Sequence, residues 1–334
     1  GYGANPYIET SRPLVVLTAP GPGSGKLATC LSQLYHENKR GVQAGYAKFE
    51  TFPIWNLPLN HPVNVAYEAA TADLQDVNKV DNFHLDAYGE ITVNYNRDIE
   101  VFPVIHSILE KITGKECIYK SPTDMGVNMA GYCVVDDEAC REASKQEVIR
   151  RYCKALCDLK QGSGNPDTVS RLEFLMSRLG INLADRAIVE SARAKSRANG
   201  DRGAIAIELP DGRIVTGKNS DRMSAAAACI FNSVKMLAGM NDRQKLISPY
   251  VIGPILDLKT KILKENNNTL TLEEALLALS ICAATDANAA SAIEQLSMLE
   301  NCEVHSTHIL SKADENPLRK LGVRLTCDAE FLDD

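Results

Sequence analysis

The sequence predicts a multidomain α/β protein, and three stretches carry that expectation. Residues 14–34, LVVLTAPGPGSGKLATCLSQL, read as an apolar strand, a glycine-rich turn and a helix. VQAGYAKFE, Val42 to Glu50, is a second strand candidate after that helix, at the spacing of a βαβ unit with a right-handed crossover. GAIAIELPDGRIVTG, 203–217, reads as a hairpin turning at Asp211–Gly212. Together they predict a P-loop-like or Rossmann-like parallel sheet over 1–116, a helical middle domain over 117–200 and a mixed α/β subdomain over 201–334.

The bulk numbers agree with a globular protein of more than one domain. The chain has 334 residues, 45% of them hydrophobic and 24% charged. The formal charge is −7 with acids and bases interspersed, and aromatics are 6%, so neither a phosphate-backbone groove nor a base-stacking platform is indicated. Nucleic acid and membrane are therefore not expected partners. No apolar run approaches the ~20 residues of a membrane span and no signal peptide opens the chain, so the expected location is the cytoplasm. The ten cysteines form no Cys-x-x-Cys pair. Cys153 and Cys157 share a helix face without a nearby His to complete a zinc set. The chain opens at Gly1, without Met, and reaches a strand by Leu14, which reads as a fragment or processed chain lacking part of its first domain.

The elements follow in order. Lys26 to Asn38 is helical. TFPIWNLPLNHP, 51–62, carries three prolines that forbid regular structure and the lone Trp55; with Asn56 and His61 it is a candidate lid or a rigid loop. VNVAYEAATADLQDV has helical spacing, ITVNYN alternates like a strand, and DIEVFPVIHSILEKITG is mostly helix ending at Gly114. SPTDMGVNMAGY is a loop. DDEACREASKQEVIRRYCKALCDLKQG places acids first and bases last, as the helix dipole prefers. Two glycine-closed helices follow, DTVSRLEFLMSRLG and LADRAIVESARAKSRANG. After the hairpin come a helix capped by Ser224, an apolar helical stretch Leu270–Leu299, a strand CEVHSTHILS, a short helix NPLRKLG and a last strand VRLTCDAEF.

The glycine-rich turn is the main candidate site. Gly21, Gly23 and Gly25 let backbone N–H groups approach an anion, Ser24 lies among them, and Lys26 opens the helix. The match to G-x-x-x-x-G-K-[ST] is degenerate: Pro20 stands at the first position and Leu27 replaces the hydroxyl that normally holds Mg²⁺. A phosphate site and a structural turn both remain open. If it is a site, the ligand is a phosphorylated small molecule or nucleotide rather than a substrate of Mg²⁺-dependent hydrolysis. On that reading Lys26 neutralises charge, Arg97 orients the substrate, and Glu50 or His61 acts as base. Asp98 is equally readable as a helix N-cap, and His84 is a further acid–base candidate.

A second candidate anion site is TGKNSDRMSA, where Gly217, Lys218, Ser220 and Ser224 precede a helix. The hairpin–helix layout resembles the cytidine-deaminase topology, but MSAAAAC stands where the zinc-binding His and its Glu would be. No metal site is expected anywhere in the chain. A regulatory binding protein and an assembly subunit, with apolar faces of Leu272–Leu299 in a homo-oligomer interface, are the alternatives to an enzyme.

RPLVVLTAPGPGSGKLATCLSQLYHE, AGYAKFETFPIWNLPLNHPVNVAYEAATADL, SPTDMGVNMAGY and AIELPDGRIVTGK resemble the bacterial uncharacterised protein family 0371, from about Gly1 to Phe331. The resemblance implies an α/β domain with a further region ahead of Gly1, a helical domain and a C-terminal subdomain of deaminase-like topology. It implies no reaction and no catalytic residue.

Overall fold

The computed structural model describes residues 1–21, 23–48, 53–126, 128–265 and 268–332. It is a mixed α/β chain that divides into two units, 1–145 and 146–334.

The first unit is mainly helical. α1 (Lys26–Lys39) presents Leu31 and Leu34 to Phe102, Leu109 and Ile112, which recur along one face of a longer helix. Before that helix come α2 (Pro62–Ala70), β1 (Asn78–Val80), α3 (Asn82–Tyr88) and β2 (Val93–Tyr95). The long helix itself, α4 (Asn96–Thr113), ends at Gly114, whose φ of 68° lets the chain reverse without Cβ strain. α5 (Pro122–Met125) begins in a capping box in which Ser121 and Asp124 each bond the other's backbone N–H. β1 and β2 pair antiparallel.

The expected parallel sheet is not what these residues build. Leu14 to Leu17 form no strand, and Leu14 is 79% exposed. Val42 to Ala47 carry no helix or strand, and Lys48 makes an isolated parallel bridge to Gly126. An apolar run becomes a strand only where neighbours accept its backbone bonds and cover its faces, and no such neighbour lies among the described residues. Phe49 and Glu50 lie outside the described residues.

α6 (Asp137–Lys160) runs across the boundary between the units. The second unit continues with α7 (Pro166–Leu179), α8 (Ala187–Arg197), β3 (Ala204–Glu208), β4 (Ile214–Lys218), α9 (Ala225–Leu237) and α10 (Pro249–Asp257). Then come α11 (Leu272–Ala283), α12 (Ala287–Glu294), β5 (Glu303–Ser306), α13 (Lys312–Lys320) and β6 (Arg324–Cys327). The sheet order is β4-β3-β5-β6, with β3 antiparallel to both neighbours and β5 parallel to β6. Alternation along β3 explains its apolar run. Ile205 and Ile207 join the main core with Ala226, Ile230 and Leu279, while Ala206 joins Ile188 and Ala192 of α8. The sheet is thus covered on both faces.

His305 and His308 do not share the strand, as CEVHSTHILS suggests they should: β5 ends at Ser306. His308 packs into the turn beyond it, with Nδ1 3.4 Å from the Ser306 hydroxyl. Burial pushes its imidazole down to about 4. The unfolded chain, near 6.5, therefore takes the proton first as pH falls, and stability drops from about pH 6.5 towards pH 4. His308→Gln should lose about 2.5 kcal/mol less than wild type between pH 7 and pH 4.5, read from urea midpoints. Parallel pH profiles for the two proteins would overturn this.

Candidate functional site

The glycine-rich turn opens α1. Gly23 and Gly25 take φ of 72° and 89°, and a Cβ at Gly21, Gly23 or Gly25 would meet no atom within 4 Å, so the turn is open on those sides. The helix has Gly25 as N-cap, no side-chain cap and no acid in its first turn. Its first N–H groups are left without a side-chain acceptor. The Ser24 hydroxyl donates to the Gly21 carbonyl at 2.6 Å, and Lys26 Nζ folds back to the same oxygen at 3.0 Å. The lysine of the turn is thus held over the loop by the Gly21 carbonyl and, at 3.5 Å, by the Ser24 hydroxyl.

Two charged pairs mark the start of α4. Lys48 Nζ reaches both carboxylate oxygens of Asp98 at 2.8 and 2.9 Å. Arg97 donates to Asp76 at 3.0 Å. Burial pushes the Asp76 carboxyl up, and the Arg97 and Lys48 charges oppose that shift. Asp98 is not the helix N-cap: Tyr95 occupies that position and Asp98 lies in the first turn, where it binds Lys48 instead of a backbone N–H. Tyr46 relates this group to α1. Burial pushes its phenol up to about 12, with Cys30 of α1 and Asp98 of α4 adding to the shift. The structure thus gathers Lys48, Asp76, Arg97 and Asp98, of which only Arg97 was a predicted site residue. Glu50 lies outside the described residues.

His61 is used structurally. It is 4% exposed and is the N-cap of α2, its Nδ1 accepting from the Val63 N–H at 3.2 Å. The other nitrogen, Nε2, then carries the proton and donates to Asp137 at 2.8 Å. Both nitrogens are engaged, so a base role would require one of these bonds to break. The proline-rich loop is pinned by buried Asn64, which accepts from the Ile54 N–H at 2.6 Å and donates to the carbonyls of Ile54, Leu57 and Pro58. That is the geometry of a rigid loop, not a hinged lid.

A buried polar network went unread in the sequence. Asp81 is fully buried and accepts from the His84 and Thr123 N–H groups, the Thr123 hydroxyl and Asn94. His84 Nδ1 meets the Ser121 hydroxyl at 2.9 Å, and that hydroxyl also caps α5. Ser121 is fully buried, so the pair ties α3 to α5 and does not face solvent. The available signal was S-P-T-D, a capping-box spacing inside what looks like loop.

At the second candidate site the protein's own groups fill the helix N-terminus. Ser224 caps α9 by accepting from the Ala227 N–H, and its hydroxyl donates to Asp314 at 2.7 Å. Asn219 accepts from the Ala225 N–H at 2.6 Å. Ser220 closes its own turn by accepting from the Arg222 and Met223 N–H groups. Gly217 is needed for packing, since a Cβ there would lie 2.2 Å from the Cys229 nitrogen. Lys218 is exposed at the end of β4. A phosphate would have to displace the Asp314 carboxylate, which occupies the place an anion would take. Among the described residues no three His, Cys, Asp or Glu side chains group as a metal site would require, and no helix is long and apolar enough to cross a membrane.

Residues 1–180 match the N-terminal domain described as domain of unknown function DUF1846, and residues 184–334 match its C-terminal domain. The chain is 57% identical to a UPF0371 protein of Clostridium botulinum (strain Alaska E43 / Type E3), over 99% of this chain and 67% of that protein. It is 56% identical to a UPF0371 protein of Clostridium tetani, with the same coverage, and 54% identical to one of Clostridioides difficile, over 99% of this chain and 68% of the relative. The chain spans about two thirds of the length of these relatives. Two domain matches that cover nearly every residue, and relatives above half identity throughout, establish that the chain belongs to the UPF0371 family, a family of unknown function.

Proposed function

We propose that the first unit binds a phosphorylated small molecule, nucleotides included, at the turn Gly21–Lys26. The observation that carries this reading is the bare N-terminus of α1, with no side-chain cap, no acid in its first turn and a lysine folded over it. A phosphate there would accept from the loop N–H groups and take Lys26 from the Gly21 carbonyl. The charged group at α4 supports a polar ligand surface in the same unit, with the Arg97 side chain half-exposed beside buried Asp76. Leu27, in place of a hydroxyl, supports binding without Mg²⁺-dependent hydrolysis. In the second unit, the hairpin β3–β4, helix α9 and the parallel pair β5–β6 support a deaminase-like topology in which Ala225–Ala228 replace the zinc ligands.

Thermal unfolding of the full chain against inorganic phosphate, sugar phosphates and nucleotides, each with and without Mg²⁺, tests this. A ligand at a hundred times its Kd should stabilise wild type by about 2.7 kcal/mol. Lys26→Ala should abolish that gain and change the stability of the free protein by less than about 1 kcal/mol, since it removes only one part-buried bond and one long, exposed bond. No gain with any of these ligands, or an equal gain in Lys26→Ala, would overturn the proposal.

A further inference from the structure

The second unit holds a cavity of about 270 Å³ between the C-terminal end of α8, the turn after β5 and residues Glu330 to Leu332. Its ionic lining is mostly spoken for. Arg193 makes a two-pronged pair with Asp328 at 2.7 and 3.0 Å, Arg197 pairs with Glu190, and Glu330 pairs with Lys160 at 3.3 Å. Three polar groups in the lining are left over. The Ser196 hydroxyl has no partner among the described residues although the side chain is only 7% exposed. His308, also 7% exposed, turns its Nδ1 edge to Ser306 and to Gly203, where a Cβ would lie 3.0 Å from Nδ1. Its Nε2 has no protein partner among the described residues. Asp201, held at φ 56°, has no cation or hydrogen-bond donor on its carboxylate among the described residues.

Both residues are mostly buried, yet the Ser196 Oγ and His308 Nε2 atoms themselves open onto the cavity with no protein partner among the described residues. Two free polar atoms converging on one cavity are the arrangement of a small-molecule site. The chemistry of that ligand follows from the remainder. Among the described lining residues the exposed carboxylate of Asp201 is the charge left without an ionic partner, so it repels anions and accepts from hydroxyls. Ser196 both donates and accepts. Burial keeps His308 neutral at pH 7, so Nε2 adds one more bond without charge. Phe331, 55% exposed at the rim, offers an aromatic face to C–H groups. The volume equals roughly nine waters at liquid density, the scale of one sugar ring.

We propose that this cavity binds a neutral sugar ring, free or as the ribose of a nucleoside, with Asp201, Ser196 and His308 receiving its hydroxyls and Phe331 its apolar face. The inference concerns the second unit and stands apart from the turn Gly21–Lys26.

Calorimetric titration of the full chain with D-ribose, D-glucose and adenosine tests it, with inorganic phosphate and citrate as anionic probes. At least one of the three neutral probes should bind saturably at millimolar concentration or below. Asp201→Asn, which keeps a residue tolerant of the left-handed backbone, should weaken binding about tenfold, and so should Ser196→Ala, each at unchanged melting temperature. Lys26→Ala should bind as wild type, which separates this site from the first. Ribose alone indicates a free sugar, and adenosine tighter than ribose indicates a nucleoside. The proposal is overturned if no neutral probe binds at tens of millimolar, or if binding ignores both variants. It is equally overturned if phosphate or citrate is the ligand those variants lose.

Discussion

Glu303→Leu should destabilise the second unit by about 3–5 kcal/mol, the largest effect expected of any single change in this chain. Glu303 opens β5 and accepts from three guanidinium groups: Arg186, Arg150 at 2.9 Å and Arg324 at 3.4 Å. Arg186 is the critical partner, because its side chain is 1% exposed. It reaches Glu303 from just before α8 and continues to the Thr326 hydroxyl at 3.1 Å and the carbonyls of Val304 and Arg324. Burial pushes the Arg186 guanidinium down, and the Glu303 charge opposes that shift. Removing Glu303 leaves a cation in the interior with only neutral acceptors. The double variant Glu303→Leu with Arg186→Met removes both charges and should recover most of the loss, since an apolar pair of similar volume is often neutral or better. Urea unfolding of the four proteins of this cycle checks it. A single variant costing less than about 1 kcal/mol, or a double variant no better than the single, would reject the account.

Gly217→Ala should cost about 3 kcal/mol or more, by a different mechanism. β4 crosses α9 so closely that a Cβ at Gly217 would lie 2.2 Å from the Cys229 nitrogen and 2.5 Å from the Ala225 carbonyl. Both are helix backbone, which cannot rotate aside as a side chain can. The small face Ala225, Ala226 and Cys229 exists to allow this approach, and all three are essentially fully buried. Relief would require α9 to move off the sheet, which opens the core at Ile205 and Ile207. Gly212→Ala is the control, since that glycine needs its positive φ of 80° but would meet no atom within 4 Å. Backbone strain alone should therefore cost about 1 kcal/mol there. Equal losses at the two positions, read from urea midpoints, would show that the close approach is not what Gly217 provides.

How much of the structure was readable differs by element. Ser224 as the cap of α9, Gly114 and Gly180 as ends of α4 and α7, the Asp211–Gly212 turn and the helix from Lys26 were all legible. Each rests on bonds within a few residues of chain. The site was less legible. Gly23, Gly25 and Lys26 could be named from the loop pattern, but nothing local reveals that Lys26 folds back on Gly21 or that Arg97 is held by Asp76. His61 looked like a free loop histidine, and it became an N-cap because Asp137, 76 positions away, takes its other nitrogen.

The amino-acid sequence by itself determined most of the longer helices, several of their caps and the hairpin, because propensity, periodicity and capping act over a turn or two. It also determined the family, through long runs shared with its relatives. Only the tertiary structure decided which apolar runs became strands and which charges met. Leu14 to Leu17 and Ala204 to Glu208 both read as strands in the sequence, but among the described residues only the second finds neighbours to accept its backbone bonds. Arg186 and Glu303 stand 117 positions apart, and Ser196 and His308 on separate elements. The physical reason is one and the same: a strand, a buried ion pair and a binding cavity are each stabilised by partners that are distant in the chain, and only folding brings those partners within reach.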